Sequence, residues 1–130
     1  MTFSTKTLLL PLAGNSGEET VRLVVAGGSA KLSAPSTREG FFSHLLAYPL
    51  SPYLIVKGVK IAGKDILAPL MATLSTRIPL MALTDKRMAF GRGPDLLVQK
   101  GDIVEVEVQN MAPRWTVTLS LVACLEGADV

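Results

Sequence analysis

Cysteine and histidine each occur once in 130 residues, aromatic side chains make up 5% of the chain, and charged ones 18%. Each scarcity excludes something. A single cysteine cannot form an intrachain disulfide. One histidine with one cysteine cannot build a Cys/His zinc site, and a copper sandwich would need several histidines with cysteine and methionine nearby. Charge falls below the roughly 25% typical of globular domains. Lysine and arginine total 13 against 11 acidic residues, a net charge of +2. The basic residues from Lys57 to Lys100 are scattered, and Asp85 and Asp95 flank Arg87 and Arg92. A nucleic-acid footprint needs clustered Lys/Arg and, for single strands, interleaved aromatics, so no nucleic-acid partner is expected.

Long apolar runs are also missing. No stretch reaches the ~18 residues of a membrane-spanning helix. The longest uncharged stretch, Phe41 to Val56, holds Pro49 and Pro52, which break a helix. The apolar stretch from Leu8 to Ala13 contains Pro11 and is about six residues long, short of the ~7–15 of a signal-peptide core. The expectation is no membrane partner, and a protein that acts where it is made or leaves inside an assembly. There is no Asn-x-Ser/Thr acceptor, no Gly-x-Ser-x-Gly elbow and no Gly-x4-Gly-Lys-Ser/Thr phosphate loop; Gly27-Gly28-Ser29-Ala30-Lys31 is too short for the last.

What is there is β-sheet grammar. Hydrophobic residues reach 48%, which excludes a disordered chain. A chain of this length makes one domain and can bury about two-thirds of its unfolded surface without staples. In Gly101 to Asn110, Val104, Val106 and Val108 alternate with Glu105, Glu107 and Gln109. Period two is a half-buried strand. After the turn-like Asn110-Met111-Ala112-Pro113, a second long strand places Trp115, Val117, Leu119, Leu121, Ala123 and Leu125 on one face and Thr116, Thr118, Ser120, Val122 and Cys124 on the other. The short link predicts an antiparallel hairpin between the two. Further strands are predicted at Leu96–Val98, Tyr53–Ile61 (with Gly58 as a bulge), Thr20–Ala26, Gly40–Leu46 and Arg77–Leu83. Asp65 to Thr76 suits a short helix or an irregular segment, since Pro69 interrupts it.

About eight strands between Gly- and Pro-rich turns predict an all-β fold, an antiparallel β-sandwich. The first 17 residues carry only Lys6 as charge, so 1–17 is expected as an extended N-terminal arm and 18–130 as a single sandwich domain.

Candidate chemistry is sparse. His44 and Cys124 are the sole residues of the commonest catalytic and soft-ligand types. Each is read as a strand or core residue, because neither has the partners that catalysis or ligation needs. Glu105 and Glu107 share one strand face about 6–7 Å apart by strand rise, a spacing compatible with a carboxylate pair and equally with a solvated face. Trp115, Tyr48 and Tyr53 are aromatics that could stack on a sugar or anchor a core. Lys100-Gly101-Asp102 matches an adhesion tripeptide, but its place between two strands reads as a turn.

Asp95 to Gly127, an apolar strand, a Lys-Gly-Asp turn, a Val-rich alternating strand ending at Asn and a second long alternating strand, resembles the pattern of jelly-roll capsid decoration (cementing) proteins of tailed bacteriophages. Thr37-Arg38-Glu39-Gly40-Phe41-Phe42 through Tyr53 to Ile61 is similar to the opening strands of the same plan. The resemblance implies a jelly-roll-like sandwich and a non-enzymatic virion protein on the outer capsid surface, assembled in the host cytoplasm. Its partners would be the major capsid protein and itself, as a homodimer or homotrimer. It implies no catalytic residue, cofactor or metal. Low charge agrees, since interface centres are depleted in charge. An uncharged N-terminal strand can also pair with a neighbour's sheet edge. The residues expected at interfaces are Phe3, Leu8, Leu9, Leu10 and Leu12 of the arm, with Phe41 and Phe42. The alternatives are a glycan- or receptor-binding module of a phage tail, carried by Trp115, Tyr48 and Tyr53, and a hydrolase using Glu105 and Glu107 or His44.

Overall fold

Residues 7–14, 17–18, 20–23, 28–48, 53–67, 78–84, 96–111 and 116–127 are described by a computed structural model of the chain. Among them lie ten strands and one four-residue helix. The strands are β1 (Thr7–Leu12), β2 (Val21–Leu23), β3 (Ser29–Pro35), β4 (Gly40–Tyr48), β5 (Leu54–Ile61), β6 (Lys64–Asp65), β7 (Ile78–Pro79), β8 (Leu97–Val98), β9 (Ile103–Asn110) and β10 (Val117–Glu126), with helix α1 at Leu80–Leu83.

The strands form two sheets. One runs β1-β10-β4-β8, with β2 also on β10; the other runs β3-β9-β5-β6, with β7 also on β5. Every pairing is antiparallel. The pairings β2·β10, β3·β9, β4·β8 and β5·β7 nest inside one another. The chain is therefore one long two-ply ribbon whose folded end is the β5–β7 region. Its successive segments alternate between the sheets, and rolling the ribbon brings β10 against β4 and β9 against β5.

The alternation that predicts strands also fills the space between the sheets. Val104, Val106 and Val108 from β9 and Leu119, Leu121 and Leu125 from β10 are at most 1% exposed. Leu32, Phe42, Leu45 and Leu54 join them. Each such side chain contributes roughly 1.5–3 kcal/mol by leaving water, which gives a core without disulfide or metal.

The all-β sandwich is the observed architecture. Gly58 sits at the irregularity in β5, where the register with β9 shifts between Val56 and Gly58. Three local expectations are corrected. First, β9 and β10 do not pair as a hairpin: they lie in opposite sheets. Both strands bury one face, and two such faces can be satisfied by opposing as well as by sharing a sheet. Second, the strand expected over Arg77–Leu83 is only Ile78–Pro79; Pro79, at φ −64°, opens α1. Third, Ser29–Pro35 is a strand that the sequence reading leaves out. Thr7–Leu12, expected within the arm, is paired along its whole length with β10 of its own chain. Phe3 and the rest of 1–6 lie outside the described residues, as do 68–77.

Two turns at one end of the second sheet are stereochemically specific. Ala62 (φ 52°) and Gly63 (φ 84°) join β5 to β6. Positive φ at both central positions is the twist-matching hairpin geometry in which Asn-Gly is preferred. Gly101 (φ 92°) provides the turn from β8 to β9. Asp102 closes that turn, with the Gln99 N–H donating to its Oδ2 at 2.9 Å.

Candidate functional site

His44 and Cys124, and Glu105 and Glu107, fall on two outer faces of opposite character. On the second sheet, Glu105 stands opposite Ser33 of β3 and Lys60 of β5, while Glu107 stands opposite Lys31 and Gly58. Lys60 in turn faces Asp65 of β6. Lysines and carboxylates thus alternate across β3, β9, β5 and β6, and Lys31 Nζ lies 3.9 Å from a Glu105 carboxylate oxygen. Cross-strand neighbours of opposite sign favour this sheet by fractions of a kcal/mol each. An open groove of about 420 Å³ lies at the end of this sheet, between the Ala62-Gly63 and Gly101-Asp102 turns, with Lys60 and Glu105 on its wall. Glu107 does not line this groove.

The first sheet turns a different face outward. Across β1, β10 and β4, the outward rows are Leu9–Cys124–His44 and Pro11–Val122–Leu46, with Ser120–Tyr48 beyond them. Glu126 stands at one corner beside Thr7 and Phe41, and Phe41 meets Leu97 of β8. Leu9 is 56% exposed, Leu46 44% and Tyr48 80%. Glu126, the acidic residue of this face on β10, is itself buried. A hydroxyl pair, Thr20 Oγ1 to Ser120 Oγ at 3.2 Å, marks the polar margin near β2. No described element packs across these rows.

His44 and Cys124 face each other on this sheet. The His44 Nδ1 is 2.9 Å from the hydroxyl of Ser43, the residue inserted at the irregularity of β4. Cys124 is a free, buried thiol. Burial, and secondarily the Glu126 carboxylate, push its pKa above the ordinary value of 9.0. Such a thiol stays protonated at neutral pH and is a poor nucleophile. No group of three or more His, Cys, Asp or Glu side chains among the described residues could hold a metal ion. No helix among them is long and apolar enough to cross a membrane.

The expected interface residues divide. Leu10, Leu12 and Phe42 are buried in the core, and Leu8 and Phe41 are half-buried and packed against it. Among the described residues of this set, Leu9 alone is largely exposed. Phe3 and Trp115 lie outside the described residues. Tyr48 and Tyr53 are both exposed and flank the link from β4 to β5. The sequence reading put Val122 on the face opposite Leu121 and Ala123 but named neither it nor Leu46 and Pro11 as interface residues; the strict alternation of β10 carried the signal. A scan of protein-family models and searches of curated proteins and solved structures find no match for the chain.

Proposed function

We propose that the chain is a non-enzymatic structural protein of a tailed-bacteriophage virion, which binds the outer capsid surface and cements the shell. The observation that carries this reading is the outer face of the first sheet, whose central rows hold no charged residue, with Leu9, Leu46 and Tyr48 in water on a chain so poor in charge. Contiguous exposed apolar surface of this kind marks an interaction site. The nested ribbon, with segments alternating between two sheets, supports a jelly-roll plan, an architecture used by capsid proteins among others. His44 beside a protonated, buried Cys124, and Glu105 and Glu107 on a face shared with lysines, support a role without catalysis.

Purified particles with and without the protein test the reading. Added protein should sediment with them, and particles carrying it should withstand heating by several degrees more than bare ones. Particles that neither bind the protein nor change in heat resistance would refute it.

A second reading, a glycan- or receptor-binding module of a phage tail, is favoured by Tyr48 and Tyr53 at one end of the sandwich. Aromatic faces stack on sugar rings. It predicts glycan-array hits that Tyr48→Ala removes without disturbing the fold.

A further inference from the structure

We infer that the outer face of the β1-β10-β4-β8 sheet is where a second copy of this chain packs, sheet on sheet, to make a two-fold dimer. Size is the first argument. β10 is ten residues long, so the face runs about 33 Å along it and about 19 Å across four strands. The shorter edge strands reduce this to a flat area of roughly 500 Å² per copy. Side-chain relief brings the accessible area toward the ~800 Å² per partner of a standard interface. The face is thus large enough for a specific dimer at the small end of the range, one that exchanges with monomer at concentrations on the order of micromolar.

Charge is the second argument. The opposite outer face alternates lysine and carboxylate, whereas the rows Leu9–Cys124–His44 and Pro11–Val122–Leu46 carry no carboxylate, lysine or arginine. A partner of different chemistry would be selected by charges that these rows do not offer. A copy of itself needs none there; the charged positions of the face, Glu126 beside Thr7 and Arg22 beside Thr118, lie toward its two ends. Shape is the third. Twisted sheets pack face to face with strands within about 30° of one another, and a second copy repeats the twist of the first. A two-fold axis across the strands, over the midpoint of Val122 and Cys124, lays His44 of one copy over Leu46 of the other and Leu9 over Pro11, and sets Glu126 over Ser120 and not over its own copy.

The inference rests on reading the protein as an assembly component, and its test uses no shell, so each can fail alone. Sedimentation of the full chain from about 1 to 300 μM should show a reversible shift from monomer to dimer. Leu9→Glu and Leu46→Glu each leave a carboxylate stranded in the seam and should raise the dissociation constant about 100-fold or more. Glu107→Lys, on the other outer face, should leave it unchanged. Hydroxyl-radical footprinting of the unaltered protein reads the same face without substitution: Leu46 and Tyr48 should lose reactivity on concentration. A monomer throughout the range overturns the inference even if particles still bind it. A dimer that survives both glutamate substitutions, or reactivity at Leu46 and Tyr48 independent of concentration, overturns it equally and assigns any self-contact elsewhere.

Discussion

Ala62 holds a backbone conformation that suits another residue better. Its φ of 52° sets a Cβ against the following carbonyl, a cost of about 1–2 kcal/mol that glycine and asparagine largely avoid. The turn keeps it because Gly63 follows at φ 84° and the Ala62 N–H donates to the Ile103 carbonyl at 3.0 Å. Ala62→Asn makes the preferred Asn-Gly turn and should raise stability by about 1 kcal/mol in urea unfolding; an unchanged or lowered midpoint would count against this account of the turn. Cys124 offers a second measurement at this scale. Burial, then Glu126, hold its pKa above the unfolded value near 9.0, so the folded state keeps a proton that the unfolded chain releases first. The contribution to stability is fully present below pH ~9 and is lost as pH rises through the folded pKa. Unfolding midpoints between pH 8 and 10.5 should therefore fall more steeply for the unaltered protein than for Cys124→Ala. Parallel curves would show that the thiol is not held in this way. The same residue was legible in the sequence as a buried thiol, because it is a lone cysteine within an alternating strand. That it faces His44 was not, since that depends on a register set over long range.

Strand elements differ in how plainly their residues announce them. β9 and β10 were legible almost to the residue, because strict alternation of valine or leucine with polar side chains has no helical equivalent. β3 was not: Ser29–Pro35 holds one large apolar side chain, Leu32, among alanine, serine, lysine and proline, so its burial is decided by β9 beside it. The expected β9–β10 hairpin failed for a related reason. Alternation says which face of a strand is buried and is silent on which strand covers it. β1 shows the same limit, for Leu10 and Leu12 look like an apolar arm until pairing with β10 aims them inward. Their burial makes a sharp contrast with the charged face. Leu12→Ala, at a site 1% exposed, should cost about 2–5 kcal/mol by leaving a cavity between the sheets. Lys31→Ala removes a lysine 3.9 Å from Glu105, with side chains 55% and 31% exposed, and should change stability by no more than about 0.5 kcal/mol. Comparable losses from the two substitutions would mean that the charged lattice, and not the core, holds β3 and β9.

The whole molecule is a ribbon folded at β5–β7 and closed last at β2–β10, and that nesting orders the entropy cost of its contacts. Val56 pairs with Ile78 across about twenty intervening residues, whereas Leu23 pairs with Val117 across more than ninety. Loop-closure entropy rises with the length enclosed, so contacts near the folded end are the less costly ones to form first. A topology of non-local strand pairs folds slowly, in the millisecond-to-second range. Within that rate the two ends should behave differently. Val56 packs at 1% exposure where β5 meets both β7 and β9. Leu12 is equally buried, but on the outermost strand of the ribbon. Substitutions in the early-forming region slow folding, and those formed after the barrier speed unfolding. Stopped-flow chevrons should therefore show Val56→Ala lowering mainly the folding limb and Leu12→Ala raising mainly the unfolding limb, with both destabilised at equilibrium. The reverse pattern would place the nucleus at the β1–β10 edge, and the ribbon would then close from its ends inward. An edge strand that docks after the barrier is also the part of the sheet first to leave it. Because Leu9 lies on that strand and within the inferred dimer face, a second copy seated there should slow the unfolding limb as protein concentration rises while leaving the folding limb unchanged.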